Sequence, residues 1–169
     1  MHIADKSLVT CSYDCTVRFW SVESGNAERV FKFSDPIMTT LVDPTRDFLF
    51  TGSWDKSVKA IDLKTGEVDR SFIASEQAVL SMLLYDKWLF VSGQDPVVRV
   101  YNLEKGDSRL FEGHTSWVLC MKTYITYKED GSVDKQWLLT GSDDNTVRIW
   151  DIVTGKCLED RKGHKNGVT

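Results

Sequence analysis

Apolar residues in this chain come in short runs, each closed by Gly, Asp, Ser or Thr, and no window carries the apolar period of an amphipathic helix. Val79–Leu84, Trp88–Ser92, Val97–Leu103 and Arg109–Phe111 follow one another with turn residues between them and predict four successive strands. The run VRIWDI at 147–152 is apolar on both faces apart from its arginine, which predicts a strand covered on both sides. The expectation is an all-β chain.

The pattern repeats. TCSYDCTVRFWSVESG (10–25), TGSWDKSVKAIDLKTG (51–66), VSGQDPVVRVYNLEKG (91–106) and TGSDDNTVRIWDIVTG (140–155) align without gaps. Each holds an aspartate (Asp14, Asp55, Asp95, Asp144), then a valine three positions on and a basic residue next to it (Arg18, Lys59, Arg99, Arg148). At six positions stands a large side chain (Trp20, Ile61, Tyr101, Trp150), and at eleven a glycine suited to the positive φ of a hairpin turn. The aspartates recur at spacings of 41, 40 and 49 residues, the last lengthened by YITYKEDGSVDKQW (124–137), whose polar middle, marked by Lys128, Glu129, Asp130, Asp134 and Lys135, reads as an extended, solvated hairpin loop. A second marker precedes each unit: FKFSDPI (31–37), FIASEQA (72–78), FEGHTSW (111–117) and RKGHKNG (161–167). Each period is therefore expected to be one four-stranded unit. The aspartate stays in all four because an Asx turn closes on its own backbone N–H groups.

Composition narrows the function. With 169 residues, 41% hydrophobic and 27% charged, the chain falls among globular proteins. A net charge of -4, with 25 acidic against 21 basic residues, argues against a general polyanion binder. No run approaches the roughly 18 apolar residues of a membrane span, and MHIADK lacks the apolar core of a secretory leader. Cys11, Cys15, Cys120 and Cys157 form no paired metal-binding spacing, so reduced cysteines in an intracellular compartment, cytoplasmic or nuclear, are expected, with no metal and no cofactor. Ser142, His114 and Asp144 could be assembled into a nucleophilic triad, but the repeat already accounts for them, and no GxSxG, HExxH or phosphate loop is present. No catalytic residue is assigned.

With GH at 113–114 followed by WD at 150–151, the sequence resembles the WD40-repeat family over essentially its whole length. The resemblance implies β-propeller blades, each a four-stranded antiparallel sheet. Its units would be 1–33, 34–74, 75–113 and 114–163, with 164–169 opening another. A closed ring of the family has about seven blades, so about four blades imply part of a larger propeller, completed by further blades of the same parent chain. Standing alone, such a piece is expected to self-associate through its open faces and edges.

The resemblance also implies a structural hydrogen-bond chain of His114, Thr140, Asp144 and Trp150 in the last unit. Thr10, Asp14 and Trp20 match it in the first unit, Thr51 and Asp55 in the second, and Asp95 alone in the third. Ser34 and Ser75 stand where the histidine belongs. The family's narrow face, formed by the loops entering the first strand and joining the second to the third, would receive peptides or partner loops. The residues before the turn aspartates point there: Tyr13, Trp54, Gln94 and Asp143, with Trp117 on the same rim. The expected function is a non-enzymatic protein-interaction scaffold or recognition module. An RNA- or other nucleic-acid-binding propeller is the alternative, in which these aromatics stack bases beside the recurring basic residues.

Overall fold

The computed structural model describes residues 2–4, for which only the backbone is considered, and 7–169. Four four-stranded sheets follow one another, each with its strands in chain order. The first is β1 (His2–Ala4), β2 (Ser7–Cys11), β3 (Thr16–Ser21) and β4 (Ala27–Lys32). The second is β5 (Ile37–Asp43), β6 (Phe48–Ser53), β7 (Ser57–Asp62) and β8 (Val68–Ile73). The third is β9 (Val79–Tyr85), β10 (Trp88–Gly93), β11 (Asp95–Asn102) and β12 (Ser108–Glu112). The fourth is β13 (Val118–Tyr127), β14 (Val133–Ser142), β15 (Thr146–Asp151) and β16 (Cys157–Lys162). Pairing is antiparallel, as in Leu8↔Trp20, Leu49↔Ile61, Leu89↔Tyr101 and Leu138↔Trp150.

The chain divides into two compact units, residues 1–82 and 83–169, with the boundary inside β9. Each has its own core. In the first, Val9, Val17 and Phe19 of one sheet pack with Ile37, Val42, Leu49 and Ile61 of the next. In the second, Phe90, Val98, Val100 and Phe111 pack with Val118, Leu138, Trp150 and Ile152. Packing between the sheets is close. A Cβ on Gly52 would lie 2.5 Å from Val79 Cγ1 and 2.7 Å from Thr39 Cγ2. Gly52→Ala is therefore expected to cost about 1–3 kcal/mol through overpacking, measured as a lowered urea midpoint.

The turns explain themselves from the sequence. Gly25, Gly66, Gly106 and Gly155 take φ of 71°, 79°, 77° and 73° where the third strand turns into the fourth. Between the second and third strands, the residue after the aspartate is also left-handed in three sheets: Cys15, Lys56 and Asn145. Pro96 holds that place in the third sheet and cannot adopt positive φ. There the turn tightens, Gly93 pairs with Asp95, and β11 begins at the aspartate itself.

Two expectations change. Only 128–132 of the inserted segment is turn, because Tyr124–Tyr127 continues β13 and Val133–Trp137 continues β14. Alternating aromatic and β-branched residues extend the ladder, and Tyr124 stacks on Trp137 with centroids 5.8 Å apart. The run VRIWDI is not covered on both sides along its length: Val17, Val58 and Val98 are fully buried, whereas the matching Val147 is half-buried. On that face the 163–169 segment reaches the end of β14, where Val168 N donates to Ser142 O at 2.9 Å.

Candidate functional site

The polar residues of the fourth sheet form a closed hydrogen-bond chain. The Trp150 indole N–H donates to Thr140 Oγ1 at 2.9 Å, and Thr140 Oγ1 lies 2.7 Å from His114 Nε2. His114 Nδ1 lies 2.8 Å from Asp144 Oδ2. The network assigns the tautomer: Thr140 Oγ1–H donates to Nε2, and Nδ1–H donates to the carboxylate. Asp144 also accepts from Thr115 N (3.0 Å), Thr146 N (2.9 Å) and Thr146 Oγ1 (2.6 Å). Burial alone would raise the Asp144 carboxyl, but these donors outweigh it and hold the group well below the usual carboxylate range. Burial pushes His114 down against the opposing pull of Asp144, so the ring is neutral near pH 7.

Both shifts have the same consequence for stability. Below about pH 6.5 an unfolded histidine takes a proton that the folded His114 refuses, and below about pH 4 an unfolded aspartate takes one that the folded Asp144 refuses. Stability present at neutral pH is therefore lost on acidification, first through His114. The fall in Tm between pH 7 and pH 5.5 is expected to be larger for the wild-type chain than for His114→Gln. Equal falls would remove His114 as the cause.

The other sheets carry parts of this chain. Trp20 Nε1–H donates to Thr10 Oγ1 at 2.8 Å. Thr51, fully buried in β6, has neither a histidine nor a tryptophan beside it, and its Oγ1 has no hydrogen-bond partner. The aspartate closes its turn in all four sheets, through Thr16 N, Ser57 N, Val97 N and Thr146 N at 2.8–3.2 Å. The basic residue four positions later supplies what the missing histidine does not. Arg18 pairs with Asp14 (3.7 Å), Lys59 with Asp55 (2.9 Å) and Arg99 with Asp95 (2.5 Å). Where His114 takes the aspartate, Arg148 turns to Asp160 at 3.3 Å instead. Sequence reasoning expected the basic residues to pair with neighbouring charges but did not name the turn aspartate as the partner, although the constant spacing was its signal. It also missed Asp43, buried at the β5–β6 turn and held by Thr45 and Arg46.

The rim residues separate by unit. In the first, Tyr13 sits in the β2–β3 turn and Trp54 in the β6–β7 turn, with ring centroids 6.4 Å apart and planes tilted by 51°. Both are solvent-facing, 66% and 46% exposed. Trp54 N donates to Pro36 O at 3.0 Å, which brings the β4–β5 loop alongside. In the second unit, Asp143 N donates to Trp117 O at 2.9 Å, and Ser116 Oγ donates to Asp143 Oδ2 at 3.2 Å. Trp117 and Asp143 are both exposed there, while Gln94 is half-buried in the β10–β11 turn.

His114 Nε2 faces Thr140, not Ser142, whose hydroxyl donates to Ser116 O at 3.2 Å and accepts from Asp144 N at 3.1 Å. Among the described residues no group of three or more His, Cys, Asp or Glu is placed to hold a metal ion, and no helix is long and apolar enough to cross a membrane.

Comparison with known proteins places these features. A family model described as "WD domain, G-beta repeat" matches residues 2–21, 27–62 and 107–151, more than half of the chain. WD repeat-containing protein 18 of Bos taurus is 29% identical over 153 residues, covering 89% of this chain and 27% of the relative. The chain thus spans about a quarter of the length of the curated relatives it matches. Among solved structures, the WD40 β-propeller domain of Doa1 superposes with a TM-score of 0.78 at 20% identity, over 98% of this chain and 53% of that one. U3-55K does so with a TM-score of 0.80 at 20% identity, over 97% and 50%. By its family match, its repeated turn aspartates and its four-stranded blades, the chain belongs to the WD40-repeat family.

Proposed function

We propose that this chain is a non-enzymatic protein-interaction scaffold, or the recognition module of a larger intracellular complex. It engages partners through the loops that carry Tyr13 and Trp54 in the first unit, and through those that carry Gln94, Trp117 and Asp143 in the second. The observation that carries this reading is the Tyr13–Trp54 pair, two large rings left in solvent at turn positions where the repeat needs no bulk. Amphipathic aromatics bring large contact area at low conformational cost, and they anchor interfaces out of proportion to their number. WD40 blades generally serve as interaction platforms, which fits, although fold alone names no partner. The polar residues of the repeat, from Thr10 to Trp150, act within the scaffold.

The nucleic-acid alternative needs free cations. Arg18, Lys59, Arg99 and Arg148 are each committed to a carboxylate of their own sheet, which weakens it.

Proximity labelling with the full-length parent tests the proposal. Tyr13→Ala with Trp54→Ala is expected to lose a defined subset of wild-type neighbours at an unchanged Tm. An unchanged neighbour set would remove this surface from the account.

A further inference from the structure

An exposed Tyr–Trp pair could hold an aliphatic side chain, a proline or a cation. Charge distinguishes them. At this end of the first unit, the loops 12–15, 33–36, 54–56 and 74–78 carry Asp14, Asp35, Asp55 and Glu76 against one cation, Lys56. Asp14 and Asp55 are partly neutralised by Arg18 and Lys59. Asp35 has no ion-pair partner among the described residues, and it stands immediately before Pro36, the residue whose carbonyl accepts from Trp54 N.

From this we infer that the Tyr13–Trp54 pair, with Asp35 on the adjoining β4–β5 loop, is a receptor for an arginine side chain on an extended segment of a partner protein. The inference rests on the proposed partner-binding reading and adds the chemistry of what binds. Aromatic faces carry negative potential, strongest for Trp, and attract a cation lying over them. A guanidinium suits this place better than an ammonium, because it is planar, weakly hydrated and can stack while its N–H groups reach a carboxylate. Two rings tilted by 51° give it one face to stack on and one edge to lie beside. The chain uses the same contact internally, where the Arg109 guanidinium lies 4.0 Å from the centroid of Trp88. The net charge of -4 adds a long-range pull on a basic segment.

The test uses the ¹⁵N-labelled full chain and two capped peptides, Gly-Ser-Gly-Arg-Gly-Ser-Gly and its twin with citrulline for arginine. Citrulline keeps the shape and removes the charge. The signal is the Trp54 indole N–H, assigned by its disappearance in Trp54→Phe. The arginine peptide is expected to shift that signal saturably, at least about fivefold more tightly than the citrulline peptide, in line with a cation–π contact aided by a carboxylate. Asp35→Asn is expected to weaken the arginine peptide by about threefold without moving Tm, and Tyr13→Ala to weaken it further. Equal shifts from both peptides would overturn the arginine inference while leaving a peptide-binding rim in place. No shift from either would also overturn it, and the rim would then be judged by the labelling comparison alone.

Discussion

Trp150→Ala is expected to cost about 4 kcal/mol, the largest loss for any single side chain of the fourth sheet. The indole is 1% exposed and packs on Phe111, with ring centroids 5.8 Å apart, and on His114 at 6.0 Å. Truncation leaves a cavity in the core of the second unit and deprives Thr140 Oγ1 of its indole donor. Trp150→Phe separates the two effects: most of the volume returns, and the remaining loss, about 1–2 kcal/mol, is the price of the missing N–H. Trp20 makes the same hydrogen bond to Thr10 but is only half-buried, so Trp20→Ala should cost less. Urea denaturation of the three variants gives the order directly. A loss below about 2 kcal/mol for Trp150→Ala would mean that the indole is not the keystone of this core.

The second large effect is a contrast between two buried threonines at the same place in the repeat. Thr140→Val is expected to destabilise by about 2–3 kcal/mol, because it leaves both the His114 Nε2 acceptor and the Trp150 N–H donor buried without partners. Thr51→Val should be neutral, or stabilising by up to about 1 kcal/mol, because the Thr51 hydroxyl is already buried without a hydrogen bond and valine is nearly its shape. Replacing His by Ser34 and Trp by Ile61 in that blade removed donor and acceptor together. Equal losses for the two substitutions would show that the hydrogen-bond chain contributes nothing beyond packing.

Much of this was legible in the sequence for a physical reason. A repeated unit must solve the same turn and the same burial each time, so Asp14, Asp55, Asp95 and Asp144 stay in register even where Trp becomes Ile61 or Tyr101. In the third sheet the strand boundaries follow from that register to within two residues, as Val79–Tyr85 and Trp88–Gly93 illustrate. What could not be read was anything set by distance across sheets. Tyr13 and Trp54 were visible as separate surface aromatics, but their approach to 6.4 Å depends on how one blade is rotated against the next. The hairpin within 124–137 has a shorter loop than its charged residues suggest, because Asp134 and Lys135 lie on β14 and the alternating Tyr124, Ile125, Thr126 and Tyr127 lengthen β13.

The central claim is a division of labour: the repeated polar residues hold the blades, and the rim aromatics meet the partner. Partner recovery and Tm, measured together on full-length His114→Ala and on Tyr13→Ala with Trp54→Ala, test it most directly. The account predicts that His114→Ala lowers Tm by several degrees yet keeps its partners at temperatures where it remains folded, while the rim variant keeps its Tm and loses partners. The reverse pattern, with partners lost from a folded His114→Ala chain and retained by the rim variant, would contradict it.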